Sequence, residues 1–413
     1  MLKRYSHFLI PVALLLAFFL STSMQLNDEP VLEVQKRQDL QLKDSWDFFA
    51  ASDMMGRMVH APSVVELPDG KLRAFWFTGS REGASDVSIN TSVFDPEKGL
   101  WSKETIAIER QWLNKKLGRY TRKLGNAVPV LDDSGRMRLF VVAVSFGGWA
   151  ASRIIVLDSY DLGETWQFAI ELKTAPMLNV STLVKTPAIR YTDGSIGLPV
   201  YHEFIGKFGE ILRIDQENRV VSLMRIGSGR EAIQPLVLAT SDQNLVTFLR
   251  PHDKGYALTS TSYDAGLSWK DIEPSGMENP GSALGGVSLS PEHWVIASNC
   301  NKEDRDELCI KETLDAGKSW SLHWQVHDNR DWRDKPLDYE KLLTLIPEDI
   351  KTYPEVDQEQ LYRSAKDTIC RGGERCKLRY DYPYMIQSKN GDLHMLYTWN
   401  KILIRHAWLK AKP

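Results

Sequence analysis

Metal and nucleotide chemistry can be set aside first. No Cys/His spacing in the chain fits a zinc site, and no G-x-G-x-x-G or phosphate-loop pattern occurs, so neither a metal nor a cofactor is expected. What remains is a set of polar side chains beside short hairpin-like stretches. Arg250 ends the run Val246-Thr247-Phe248-Leu249, and Arg305 closes Asn299-Cys300-Asn301-Lys302-Glu303-Asp304-Arg305. Arg81 and Asp86 share the segment Ser80–Asp86, and Tyr382 stands nine residues before the turn glycine Gly391. A guanidinium is the natural partner of a carboxylate, because its fork matches two oxygens and it keeps its charge. His60, in His60-Ala61-Pro62, has a charge that depends on pH.

The elements that must position these residues are marked by a repeat. Ser159-Tyr160-Asp161-Leu162-Gly163-Glu164-Thr165-Trp166 recurs as Ser262-Tyr263-Asp264-Ala265-Gly266-Leu267-Ser268-Trp269 and as Thr313-Leu314-Asp315-Ala316-Gly317-Lys318-Ser319-Trp320. In S/T-x-D-x-G-x-S/T-W the Asp can accept backbone N–H bonds inside a tight turn, and the Gly can take a positive φ. The Trp is large enough to wedge between sheets while its N–H finds a partner. The spacings, 103 residues from Asp161 to Asp264 and 51 from Asp264 to Asp315, place an eroded copy near residues 210–220. A further degenerate copy is Ser92–Trp101. A period of roughly 40–50 residues built of short strands predicts a β-propeller of six blades.

Strand, D/N-G turn, strand is the motif throughout. Pro68-Asp69-Gly70, Asp132-Asp133-Ser134-Gly135, Thr192-Asp193-Gly194 and Lys389-Asn390-Gly391-Asp392 each join two apolar runs, which argues for an all-β chain. A propeller uses most of the 413 residues in one domain, here 51–413. Residues 325–376 break the pattern with dense charge and helical composition, and an inserted, partly helical excursion is expected there between the last box and the last blade. Residues 1–24 have a basic start at Lys3 and Arg4 and an apolar run over residues 8–20. They are expected to be a signal peptide, or else an N-terminal anchor that tethers the chain to a membrane. Residues 25–50 read as a linker. The net charge of −3 argues against a nucleic-acid partner. In an exported chain, periplasmic or extracellular, the cysteines can form disulfides. Cys300/Cys309 and Cys370/Cys376 are the local pairs, and a Cys370–Cys376 bridge is expected, although sequence leaves connectivity open.

The repeated octamer resembles the Asp-box, or BNR repeat, of sialidases. The stretches His60–Leu72, Gly125–Leu131 and Leu396–Asn400 also resemble the bacterial exo-α-sialidase-like group, so the resemblance spans roughly 55–410. It implies a six-bladed propeller that removes a terminal acidic sugar from a glycan. It implies Tyr382 as nucleophile and Asp86 as acid/base, with Arg250 and Arg305 on the substrate carboxylate and Arg81 as an accessory arginine. A phenol suits this task, since a carboxylate nucleophile would repel the substrate's own carboxylate.

Two positions depart from the family's pattern. His60 stands where the first arginine falls. Gln234, sixteen residues before Arg250, stands where the family has a glutamate that activates the tyrosine, and an amide cannot act as a base. Glu231 and Glu203 are the carboxylates that could take that role; Arg153, Lys185, His202 and Lys207 are further candidates for the mouth, each with an ordinary structural reading. The expected function is therefore an exported, sialidase-like glycoside hydrolase. The alternatives are an inactive glycan-binding propeller, favoured by Gln234, and a polysaccharide lyase acting on uronic acids through His60 and Tyr382.

Overall fold

The computed structural model describes residues 29–34, 45–53, 58–175, 179–229, 231–333, 335, 338–347, 350, 356–370 and 376–411. Every D/N-G turn read from the sequence joins the first two strands of a sheet. Gly70, Gly135, Gly194 and Gly391 take φ of 80°, 85°, 80° and 92°, conformations a side chain would strain. In three of these turns an Asp carboxylate oxygen (Asp69, Asp132, Asp193) accepts the backbone N–H two residues on. Six antiparallel sheets follow in sequence, giving a mainly β six-bladed propeller. Their innermost long strands start at Met58–Glu66, Lys123–Leu131, Ala232–Ala239, Gly285–Ser288 and Tyr380–Gln387. Blade 3 instead begins with two short pieces, Leu183–Val184 and Ile189–Arg190. Second strands such as Leu72–Gly79 and Met137–Val144 are buried along their whole length, because each blade is covered on both faces by its neighbours.

The ring closes through the N-terminal side of the chain. Asp47–Ala50 pairs with Leu403–Leu409 as the outer strand of blade 6, with Phe48 opposite Ala407. Leu32 is buried and forms a bridge with Tyr191 of blade 3. Within the stretch read as a linker, residues 29–34 and 45–50 thus pack on blades from distant sequence, and the rest of 25–50 lies outside the described residues. The segment 1–24, including the apolar run 8–20, lies outside the described residues.

The three octamers occupy the same place, the turn between strands three and four of blades 2, 4 and 5. In each, the preceding Ser or Thr hydroxyl donates to the Asp at 2.7–2.8 Å and the Ser/Thr backbone N–H four residues on donates to it at 2.9 Å. Residues 162, 265 and 316 take φ of 59°, 54° and 58°. Hydrogen bonds led by the Thr165 and Ser319 hydroxyls hold Asp161 and Asp315 down at about 2. The eroded copy expected near 210–220 falls on the equivalent turn of blade 3, where Asp215 accepts from the N–H groups of Glu217 and Arg219. The box tryptophans wedge between blades: Trp166 meets Phe75 of blade 1 edge-on, and Trp320 meets Phe248 of blade 4. Only Trp269 gives its indole N–H a partner among the described residues, Gly266 O at 3.2 Å.

Among the described residues three α-helices interrupt the strands: α1 (Arg110–Leu117), α2 (Tyr339–Leu345) and α3 (Gln358–Thr368). The last two form the expected excursion. Asp338 and Asp357 cap them by accepting from Lys341 N and Gln360 N. Leu342, Ile346, Leu361, Ala365 and Ile369 join one apolar core with Leu308 of blade 5 and Met395 and Tyr397 of blade 6. Both local cysteine pairs, Cys300–Cys309 and Cys370–Cys376, are disulfide-bonded. Among the described residues no helix is long and apolar enough to cross a membrane.

Candidate active site

Because neighbouring strands are antiparallel, the Asp-box turns and the D/N-G turns lie at one end of the blades. The starts of the inner strands, the ends of the second strands and the loops between strands two and three lie at the other. A cavity of about 250 Å³ opens at that second end, and those same places line it. Inner-strand starts give His60, Asn126, Leu183, Gln234 and Tyr382. Second-strand ends give Phe77, Val142, Tyr201 and Arg250. The following loops give Glu82, Trp149, Glu203, Arg305 and Lys401, and the approach to blade 6 gives Arg379.

A local device turns the inner-strand side chains inward. In blades 1, 4 and 6 the pairing slips between His60 and Ser63, Ile233 and Leu236, and Asp381 and Tyr384. The bulged residue in each stands before a proline and takes a positive φ: Ala61 53°, Gln234 52° and Tyr382 56°. Non-glycine residues held there cost on the order of 1–3 kcal/mol each and persist only where the surroundings over-determine them. One such support is Lys185. Fully buried between the two short first pieces of blade 3, it donates to the carbonyls of Leu284 and Pro383, the residue after Tyr382. Burial alone lowers its ammonium to about 7.

Tyr382 Oη accepts from Gln234 Nε2 at 3.1 Å. The amide orientation is dictated by its other neighbour: Arg250 can only donate, and its Nη1 is 3.2 Å from Gln234 Oε1. The amide nitrogen therefore faces the phenols, and it lies 3.3 Å from Tyr201 Oη as well. Burial pushes the Tyr382 phenol up from its ordinary value, with Arg250 as the main counterweight. His60 packs edge-on against the Tyr382 ring at 4.6 Å, with Nδ1 3.2 Å from Thr398 Oγ1. Burial, then the Lys401 ammonium, lowers His60 to about 3, so it is neutral in ordinary conditions.

The cavity is rich in cations. Arg305 and Arg379 both bind the buried Asp381 carboxylate, at 2.6 Å each. Burial opposes its ionisation, yet Arg379 and Arg305 together hold Asp381 well below the usual carboxylate range. Arg250 has no carboxylate within ion-pair distance among the described residues, and its buried Nε has no partner. Two glutamates line the wall. Burial works against ionisation of Glu82, and with His60 neutral it is the Lys401 ammonium, 2.8 Å away, that favours the carboxylate. Glu203 is raised by burial, with Arg250 pulling the other way.

Of the residues singled out in the sequence, His60, Gln234, Arg250, Arg305 and Tyr382 come together around this one cavity, with Glu203. The others do not line it. Asp86 and Arg81 are exposed on the loop that also carries Glu82, and Asp86 accepts from Ser80 N and Oγ at 3.0 Å. Glu231 is exposed, with φ 123°, and its backbone bonds Lys207 O and His252 N. Arg153 pairs with Glu171, His202 stacks on Phe208, and Lys207 meets His252; none lines the cavity. Residues the sequence reading passed over are Glu82, Trp149, Arg379, Asp381 and Lys401. A signal for the inner wall was present: the x-Pro pairs Ala61-Pro62, Gln234-Pro235 and Tyr382-Pro383 sit at the same place in three blades.

The BNR repeat-like domain family matches residues 70–395. The comparison with curated protein sequences returned no match. Among solved structures, the chain is similar to the Hadza microbial sialidase Hz136, with a TM-score of 0.63 at 13% identity over 88% of this chain and 68% of that one. It is similar to a protein of unknown function from Dyadobacter fermentans, with TM-score 0.62 at 12% identity over 89% and 98%. It is also similar to the intramolecular trans-sialidase from Ruminococcus gnavus, with TM-score 0.59 at 13% identity over 92% and 100%. Identities this low establish the shared fold. With more than half its length matched by the family and every blade accounted for, the chain belongs to the BNR repeat-like domain family and carries the sialidase propeller.

Proposed function

We propose that the protein is a glycoside hydrolase that takes a terminal acidic sugar into this cavity and cleaves its glycosidic bond through Tyr382. The observation that carries this reading is the phenol of Tyr382 beside Gln234 and Arg250, in a cavity shared with the guanidinium groups of Arg305 and Arg379. Arg250, half-buried and with its Nε unpartnered, binds the sugar carboxylate, since a guanidinium without a counter-ion favours an anionic ligand. Gln234 donates to the phenol oxygen, so the phenol's own proton points away from it, towards the cavity. Glu82, the ionised carboxylate whose charge acts on Tyr382, receives that proton as Tyr382 attacks the anomeric carbon. Asp86, on the same loop but outside the cavity lining, is assigned the proton of the leaving oxygen; water then displaces the sugar from Tyr382 and restores the proton of Asp86, while Glu82 returns its proton to the phenol. The two disulfides fit an oxidising compartment, and we infer export to the periplasm or the cell exterior.

A second reading is a glycan-binding propeller without turnover. One observation favours it: the residue bonded to Tyr382 is an amide, with no basic oxygen to offer. Incubation with a panel of sialylated and uronic-acid glycans, with products read by mass and by ultraviolet absorbance, separates the readings. Release of a free acidic sugar that requires Tyr382 supports the hydrolase. Binding without release supports the binder, and an unsaturated, ultraviolet-absorbing product overturns both in favour of a lyase.

A further inference from the structure

Beside the cavity, residues 110–123 read Arg-Gln-Trp-Leu-Asn-Lys-Lys-Leu-Gly-Arg-Tyr-Thr-Arg-Lys: six cations and no carboxylate, in a chain whose net charge is −3. This segment comprises α1 and the turn that leads into the inner strand of blade 2, so it lies at the cavity end. Leu113 anchors the helix in the apolar core between blades 1 and 2, which leaves Lys115 and Lys116 exposed on its last turn. Arg119 alone among these six has a carboxylate partner among the described residues, Glu171. Three of the others lie over aromatic rings or backbone: Arg110 is 5.2 Å from the Tyr120 ring centre, Lys116 is 5.7 Å from that of Trp112, and Arg122 donates to Gly147 O.

The segment is joined to the cavity wall. Arg122 N donates to Val144 O at 2.7 Å, which ties it to the loop carrying Phe146 and Trp149. Lys123 Nζ lies 5.4 Å from the Trp149 ring centre, and Trp149 lines the cavity. Gly125 makes that arrangement possible, since a Cβ there would meet the indole at 2.8 Å. Phe146 is 85% exposed and Tyr120 57% exposed, an unusual investment of aromatic surface outside the core. Eight helical residues extend this surface by about 12 Å.

We propose that this basic and aromatic band is a second binding surface, continuous with the cavity, that holds the following acidic units of a polyanionic glycan. The cations fit repeated carboxylates or sulfates, and the aromatic faces fit the apolar faces of sugar rings. The inference deepens the function proposed above by naming a chain of acidic sugars, rather than a single terminal one, as the ligand class.

The test is the length dependence of binding. Titration of the protein with sialic acid oligomers of one to six units, and with galacturonic acid oligomers of the same lengths, is expected to give at least a tenfold gain in affinity with length. That gain should collapse at high salt, as exposed charges are screened. The triple variant Lys115→Gln/Lys116→Gln/Arg122→Gln should lose most of it while binding a single unit as the wild type does; Arg122→Gln alone should lose part. Melting curves check that the variants are folded. Unchanged length dependence in both variants overturns the proposal. Loss of binding to phosphatidylglycerol vesicles, with oligomer binding intact, also overturns it and assigns the band to a lipid surface. A wild type that gains with length but binds no single unit keeps this proposal and defeats the terminal-sugar reading instead.

Discussion

At the far end of blades 2, 4 and 5 the same side chains make the same bonds: Asp161, Asp264 and Asp315 each accept from the N–H four residues on at 2.9 Å. At the cavity end, the same three places in successive blades hold different chemistry. The loop between strands two and three supplies Glu82, Trp149, Glu203, Arg305 and Lys401 in blades 1, 2, 3, 5 and 6. The far end solves one problem repeatedly, the closing of a tight turn and the wedging of an indole against the blade before, so one sequence serves. The cavity end solves a single problem once, and each blade contributes a different part. Repetition therefore marks what holds the propeller together, and its failure marks the end where the cavity opens.

If that division is right, substitutions at the two ends should affect different measurements. The largest effect belongs to Tyr382→Phe, which removes the oxygen proposed to attack and keeps the ring against His60. Turnover should fall by about 10³-fold or more, with melting temperature and glycan affinity nearly unchanged. Steady-state kinetics beside a thermal melt reads both. Asp86→Asn should slow glycosides with poor leaving groups far more than aryl glycosides, because a good leaving group needs no proton; equal slowing of both would move the acid to another residue. Arg250→Ala should weaken binding of an acidic glycan by roughly 2–5 kcal/mol, measured by calorimetry, through loss of a charge-assisted contact.

The far end answers to stability alone. Asp264→Ala should lower unfolding free energy by about 1–3 kcal/mol in a denaturant titration and leave ligand affinity untouched. The smallest effect is a pH dependence. Asp161 and Asp315 sit at about 2 in the folded chain against an ordinary 3.8. Carboxylates lowered in this way add stability above their ordinary value and lose it as pH falls through the folded one. The melting temperature should therefore drop between about pH 4 and pH 2, and Asp161→Asn with Asp315→Asn should flatten that drop.

The legibility of the sequence followed the same division. Asp, Gly and Trp at fixed offsets are local signals, since each residue's partner lies within a few positions. The boxes, the eroded turn at 215–219 and the D/N-G hairpins were readable for that reason. The excursion at 325–376 was readable from composition, but its burial of Leu361 and Ile369 against blades 5 and 6 was not. Tyr382, Gln234, Arg250 and Arg305 were reached through family resemblance, and the structure gathers them at one cavity. Arg379, Asp381 and Lys401 escaped, because what joins them to the site is contact across blades. Lys401 meets Glu82 across 319 residues of sequence, and no local pattern carries that. The strand Asp47–Ala50 escaped for the same reason: its partner is at the other terminus.

The central claim is that Arg250 reads a carboxylate on a sugar held against Tyr382. A matched pair of ligands tests it most directly, one carrying the terminal sugar as the free acid and the other as the carboxamide, each titrated calorimetrically into the wild type and into Arg250→Ala. The account predicts that the wild type prefers the acid by at least about 30-fold, the equivalent of roughly 2 kcal/mol, and that the preference disappears in the variant. Equal affinity for acid and amide in the wild type, or a preference that survives in Arg250→Ala, would contradict it.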